Sequence, residues 1–438
     1  MAEGNLLNHV DLCSSVEEVG VKSRSNVMVE LLGNTMVTRM RLSCTRSFTL
    51  TPVESAAGSD QRQVLLKRWT REPEGRVGLP IAGGNVFWLL GAVLLVNLVL
   101  LAGTRMVKRW KRGMDVSDDA EYAANLATLS EASVRRHFNP YTDIDWDAPE
   151  FSVSKNDPRW VLSATDPVGR HPWYQAQPLE KQIEIGLWRQ ANAAKVSLQL
   201  ESILIRGLMN YTFWVPNGSP EYRYCVHESV EECNHAMMFQ ELVNRIGVNV
   251  PGMPRWLRWI SPAIPLYAGP LPGTFFFGVL AGELPIHNMQ KSMLREDNSP
   301  HPLLEKVMAI HVAEEARHIS FADQFLTKRV PNMVRRSRFA LSLYVPIVMR
   351  VLCQAIVVPS RSFFRKFDIP RSVRKELFFN APDSRQALRE MYGDVRMLCY
   401  DAGLMNDLAL LMWRICKIDG RPSRYRGEPQ RAPMPTSA

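Results

Sequence analysis

Apolar residues recur at helical spacing through PLEKQIEIGLWRQANAAKVSLQLESILIRGLMNY, with Leu187, Ala191, Ala194, Leu198 and Ile205 along the repeat. Pro178 opens this helix and VPNGSP at 215–220 breaks it. The same period predicts a second helix over about 221–246, stopped by Gly247. A third is expected over 274–295, kinked or interrupted at Pro285, and a fourth from Pro302 to just before Pro331. Two more helical stretches follow at 333–358 and 382–417, and a short helix precedes them at 115–133. Residues 137–160, rich in Asn, Pro, Asp and Trp, read as an irregular packed lead-in, and 251–273 hold too many prolines for a long helix. No run of alternating Val and Ile stands out, so the predicted class is all-α.

One segment departs from this amphipathic pattern. Residues 81–103, IAGGNVFWLLGAVLLVNLVLLAG, carry no charge and are long enough to cross a bilayer as a single helix. Five cations follow within 105–112, which predicts a single-pass membrane protein with its catalytic domain in the cytoplasm. If that segment is not present in the functional chain, the expectation is a cytoplasmic protein. The stretch at 333–358 is also apolar, but Pro346 and Arg350 within it mark a packed helix and not a second span. Residues 1–76 have no sustained period and are expected to be a disordered extension. The main domain is expected over 115–418 and a disordered tail over 419–438.

Composition narrows the function classes. The chain has 438 residues, 46% hydrophobic and 22% charged, enough for a sizeable core. Its net charge of +9 is concentrated in 67–76, 105–112, 329–338 and the tail, blocks typical of membrane flanks or solvated surfaces, and no basic-aromatic module marks nucleic-acid binding. The seven cysteines are scattered, with no CxxC pair, which argues against a disulfide framework or a structural zinc site.

The candidate chemistry lies on the four central helices. Glu232 and His235 stand as Glu-x-x-His on the second, and Glu315 and His318 repeat that spacing on the fourth. At i, i+3 a carboxylate and an imidazole project from one face, and two such helices facing each other offer oxygen and nitrogen donors to a metal pair. The remaining two helices supply Glu201 and Glu283, each in an apolar run where a lone carboxylate is costly unless a cation neutralises it. His311 lies four residues before Glu315, about 40° round the helix, and is the expected seventh ligand. His227 precedes Glu232 by five, about 140° away, and reads as a packing or surface residue. Cys233 is expected in the core, and ordinary solvated faces account for Glu228 and Glu314. Four glutamates and three histidines suit two iron ions, or manganese, better than copper or zinc.

Together, Glu201, Glu232-x-x-His235, Glu283 and His311-x-x-x-Glu315-x-x-His318 resemble the p-aminobenzoate N-oxygenase family of ferritin-like diiron proteins. The resemblance covers residues 130–330 and extends to about 415, leaving 1–110 outside it. It implies a ferritin-like bundle with extra helices and a non-haem diiron oxygenase, with dioxygen as co-substrate and an arylamine oxidised at nitrogen. No flavin or nucleotide loop is evident, so the expected partners include an external electron donor or reductase. The others are a small-molecule substrate, a membrane surface and a second copy of the chain in a homodimer; nucleic acid is not among them. Tyr211, Phe213, Met238, Phe239, Phe276 and Phe277 either line a substrate pocket or form plain core. Rival expectations are a diiron hydroxylase or desaturase of a membrane-associated or acyl substrate, and a non-catalytic ferritin-like iron-binding protein.

Overall fold

The computed structural model describes residues 27–32, 35–40, 120–296 and 300–422. The expected membrane span at 81–103 and residues 423–438 of the expected tail lie outside these. A short antiparallel hairpin, β1 (Val27–Leu32) and β2 (Thr35–Met40), pairs Val27 with Met40 and Leu32 with Thr35. Apart from this hairpin the described residues form helices and the turns between them, in keeping with the all-α expectation. The two residues between the strands are Gly-Asn, a hairpin signal that the unassigned reading of 1–76 passed over.

From Ala120 onward the described residues are helical. A first helix, α1 (Ala120–Arg135), precedes a lead-in of turns and 3-10 helix. Four long helices follow: α2 (Leu179–Thr212), α3 (Pro220–Ile246), α4 (Pro272–Leu294) and α5 (Pro302–Arg329). Proline at the first turn of α3, α4 and α5 supplies a pre-set φ where no backbone donor is needed. At the far end of α3, Gly247 closes the helix at φ +69°, a left-handed cap that other residues adopt only with strain. α4 runs through Pro285 without interruption.

Two apolar clusters show how these helices are stacked. One gathers Ile183 to Ala194 of α2, Met238 to Ile246 of α3 and Leu303 to Ile310 of α5. The other takes Leu204 to Tyr211 of α2, Tyr224 and Cys225 of α3, Phe275 to Leu284 of α4 and Ile319 to Leu326 of α5. Following the chain, α2 and α5 pass from the first cluster to the second, and α3 passes the opposite way. α4 begins in the second cluster and ends with Met293 and Leu294 against the first. Thus α2 pairs antiparallel with α3, and α4 with α5, while the segment joining α3 to α4 traverses the length of the bundle. One long crossover of this kind is the ferritin-like connection. At Gly207 of α2 a β-carbon would meet the Phe275 ring of α4 at 2.1 Å, so the glycine leaves room for that ring.

Between the apolar clusters lies a polar layer, and α1 is fixed to the bundle by a second polar knot. Glu221, 1% exposed, accepts from Tyr122 of α1 at 2.9 Å, from Tyr211 at 3.1 Å and from Arg329 at 2.8 and 3.0 Å. A buried carboxylate so fully paired is strongly directional.

Beyond the four-helix core, α6 (Arg335–Val357) packs on α4. It is apolar and long enough to cross a membrane, yet 67% of its most apolar window is buried inside the protein, as suits a core helix. The helix expected over 382–417 is instead three: α7 (Pro382–Met391), α8 (Gly393–Asp401) and α9 (Asp407–Ile415). Tyr392 leaves helical geometry at ψ 16°, and Gly403 at φ +69° turns the chain before Asn406 caps α9.

Candidate metal centre

Each of the seven expected ligands falls in the layer between the apolar clusters. Glu232, His235, Glu315 and His318 are at most 1% exposed, and one donor atom from each lies within 4.8 Å of the others. His311, also 1% exposed, adds its Nε2 at 3.5 Å from Glu201 Oε1 and 3.6 Å from Glu315 Oε2. Glu201 and Glu283 are buried on α2 and α4, and Glu283 lies within electrostatic reach of Glu315, Glu232 and His318.

Every imidazole turns one nitrogen inward and anchors the other outside. His235 places Nδ1 3.3 Å from Glu232 and Nε2 2.9 Å from Glu314. His318 places Nδ1 2.7 Å from Glu232 and Nε2 2.8 Å from Glu231. His311 places Nδ1 2.8 Å from the buried amide oxygen of Gln290. Since a carboxylate or amide oxygen only accepts, the outer nitrogen carries a proton, and the inner one can offer its lone pair to a cation once any proton on it is lost.

The outer partners follow a two-fold pattern. Each motif is Glu-Glu-x-x-His, and the first glutamate of each serves the histidine of the other: Glu231 holds His318, and Glu314 holds His235. Reciprocal pairing of this kind requires α3 and α5 to run antiparallel about a local two-fold. Arg317 spans both outer acids, at 2.7 Å from Glu231 and 3.3 Å from Glu314, while Phe138 N–H donates to Glu314 at 3.2 Å. The expectation that Glu228 and Glu314 sit on solvated faces is therefore corrected. Both are fully buried, because the neighbouring helix and the lead-in cover the flanks that spacing alone leaves open. Cys233 is likewise corrected, from core to exposed surface, and His227 faces Arg223 at 3.3 Å. Phe213 is 89% exposed, whereas Tyr211, Met238, Phe239, Phe276 and Phe277 are buried core. Gln290, Arg317 and Glu231 were not singled out by sequence reasoning, and Glu314 only as a solvated residue; the doubled Glu-Glu was the available signal.

Electrostatics sort the acids into two kinds. Burial and the Glu232 charge push Glu201 well above the usual carboxylate range, and burial with the Glu315 charge does the same to Glu283. Burial opposes ionisation of Glu232 too, but the charges of His318 and His235 outweigh it and hold this carboxyl well below its usual value. For His235, burial is outweighed by hydrogen bonds to Glu232 and Glu314, which lift it to about 9. His318 is raised by the same competition, whereas burial lowers His311 to about 3. Protons thus hold the cluster near neutrality in the absence of any other cation.

A metal pair fits this cluster. Both oxygens of Glu283 and Glu315, one of Glu232, Nε2 of His311 and Nδ1 of His318 are buried without a hydrogen-bond partner, despite the close approaches. Burying one uncompensated carboxylate costs on the order of several kcal/mol, and a domain is stable by only about 5–15 kcal/mol. Several such groups in one layer therefore need a compensating cation or proton.

The same conclusion comes from relatedness. The family model for p-aminobenzoate N-oxygenase AurF matches residues 119–403. The chain belongs to that family. Membership and the Glu/His cluster together support an oxidoreductase of the diiron oxygenase kind. Uncharacterized proteins of Mycobacterium bovis and Mycobacterium tuberculosis are each 70% identical to this AurF-family chain over 328 residues, 75% of it and 96% of the relative.

A cavity of about 1060 Å³ borders α2 and α4, lined in part by Arg170, Arg189, Asn288 and Lys291, but none of the seven site side chains reaches it. It is separate from the metal centre. Loading metal must displace the protons on His235, His318, Glu201 and Glu283, so binding at pH 7 is expected to release protons and to strengthen as pH rises toward 9. Calorimetry of Fe(II) binding in buffers of different ionisation enthalpy reads this directly; a heat independent of buffer would contradict it.

Proposed function

We propose that this chain is a non-haem diiron oxygenase that oxidises a small organic substrate, with N-oxygenation of an arylamine as its reaction. The observation that carries the reading is the reciprocal pair of Glu-Glu-x-x-His motifs, whose inner atoms converge without partners while their outer atoms are fully held. Glu201, Glu232, His235, Glu283, His311, Glu315 and His318 are the proposed ligands. Four carboxylates and three imidazoles favour iron, with manganese the nearest rival.

A pair of iron ions held by these residues would supply redox chemistry toward dioxygen and an amine nitrogen. The chain's own residues prepare for this. Glu232, beside His235 and His318, and Glu315, beside His311 and His318, are held anionic and balance cationic charge. Gln290 keeps the His311 ring turned so that Nε2 points at Glu201 and Glu315. The apolar clusters at either end exclude water, which strengthens each charge interaction inside the layer. An external reductant or reductase supplies electrons, since no nucleotide-binding loop is present in the sequence.

A second reading has its own support. The uncharged stretch at 81–103 and the basic run after it favour a membrane-associated protein acting on an acyl substrate as hydroxylase or desaturase. Product analysis separates the two. Iron-loaded, chemically reduced protein is exposed to oxygen with arylamines or with fatty-acyl substrates. Hydroxylamine and nitro products are expected from the arylamines. Oxidised acyl chains with no nitrogen product from any amine would replace the first reading by the second.

A further inference from the structure

α3 and α5 differ in what they carry one turn before the shared motif. On α5 it is His311, four residues before Glu315; on α3 it is Glu228, four residues before Glu232. Equal spacing puts each about 40° round from its motif glutamate. The local two-fold that exchanges Glu231 with Glu314, and His235 with His318, therefore sets Glu228 on α3 in the place that His311 holds on α5.

The surroundings exchange in the same way. His311 lies beside Glu201 and Glu315, with its ring centroid 4.7 Å from that of His235. Glu228 lies within electrostatic reach of Glu283, Glu232 and His318, the two-fold mates of those three groups. Glu228 is completely buried, and neither of its carboxylate oxygens has a hydrogen-bond partner. Arg317, the nearby cation, is committed to Glu231 and Glu314. The hydroxyl of Tyr224, one turn further along α3, is also buried and unpartnered, so nothing among the described residues satisfies this carboxylate.

We propose that Glu228 is an eighth protein ligand, a terminal carboxylate at the end of the metal site opposite His311. The inference rests on the metal-pair reading and deepens it. The two ends are then chemically unequal. One presents Glu201, His235 and His311, and the other Glu283, His318 and Glu228, with Glu232 and Glu315 between them. The end with two imidazoles suits later first-row metals, and the end with two terminal carboxylates suits a harder ion such as Mn(II).

The test is anaerobic titration of the full chain with Fe(II) alone and Mn(II) alone, with Mössbauer spectra of the ⁵⁷Fe(II) form. Wild type is expected to take up two ions in two unequal steps and to give two ferrous signals. Glu228→Gln, nearly isosteric, is expected to weaken one step by at least about tenfold and to shift one signal, leaving the other in place. Glu228→Asp keeps the charge on a shorter arm and should fall between the two. Thermal melting of metal-free Glu228→Gln at or above the wild-type midpoint shows that the fold is intact. If wild type binds two ions and both variants match it in affinity and spectrum, Glu228 is no ligand and the seven-ligand reading stands. If wild type binds no metal, the metal-pair reading itself fails and this inference with it.

Discussion

Replacing Glu315 by alanine is expected to abolish dinuclear metal loading, with bound iron falling from two per chain to one or fewer. Glu315 occupies the centre of the layer: its oxygens are buried and unpartnered, and they lie 3.6 Å from His311 and 3.4 Å from His318. No neighbouring acid can take over this position. Glu314, next in sequence, is committed to His235, Arg317 and the Phe138 amide. Changing a residue that merely holds a ligand in place typically lowers metal affinity about 10–100-fold, so losing a central ligand should exceed that range. The change also withdraws an anion that faces His318 at 3.4 Å and leaves a cavity, so the metal-free variant should melt somewhat below wild type while remaining folded. Metal quantification after anaerobic reconstitution, beside a melt of the metal-free protein, separates lost ligation from lost folding. Two ions per chain in the variant would contradict the assignment. His311→Ala makes an informative contrast: it should retain iron, because Glu201 and Glu315 remain at that end, while reacting differently with oxygen.

The long helices were legible in the sequence because their ends carry backbone-specific residues. Pro302 begins one helix and Gly247 ends another, each for a reason that does not depend on the rest of the fold. Between 382 and 417 the break at Tyr392 has no such marker, and an apolar period continuing across it reads as one helix. The positions of the buried Glu/His cluster were legible for a related reason. Glu-x-x-His is a local geometric statement, and Glu201 and Glu283 are conspicuous as charges within apolar runs.

What surrounds those positions could not be read in the same way. Glu231 and Glu314 sit about 100° round the helix from Glu232 and Glu315, on a flank that a single helix leaves open to solvent. Only the antiparallel packing of α3 on α5, with the lead-in passing over Glu314, converts those flanks into interior. Burial of Glu228, exposure of Cys233 and the orientation of Gln290 toward His311 likewise depend on which helix lies alongside. Spacing therefore locates the inner donors, while tertiary contacts decide which charges support them.

The support has one point of convergence, and its removal is the second large effect expected. Arg317→Met keeps much of the side-chain length and apolar bulk of arginine but withdraws the cation shared by Glu231 and Glu314. Hydrogen bonds and charges from His318 and Arg317 outweigh burial at Glu231 and hold it down to about 2. Without the guanidinium, Glu231 depends on His318, and Glu314 on His235 and the Phe138 amide. Breaking a buried ion pair from one side costs about 3–5 kcal/mol, and here a single residue serves two acids. Two consequences are expected together: a clear drop in the melting midpoint of the metal-free protein, and metal affinity reduced about 10–100-fold as the rings of His235 and His318 lose their fixed orientation. Arg317→Lys retains a charge, but on an arm of different length and shape from the one whose Nη2 reaches both carboxylates, so it should recover part of the stability and less of the affinity. The double change Glu231→Gln with Glu314→Gln tests the same coupling from the other side. Once neutral amides replace the acids, Arg317→Met should have a much smaller further effect on metal affinity than in wild type. Equal effects in both backgrounds would mean that Arg317 acts elsewhere and that the reciprocal acids hold their histidines unaided.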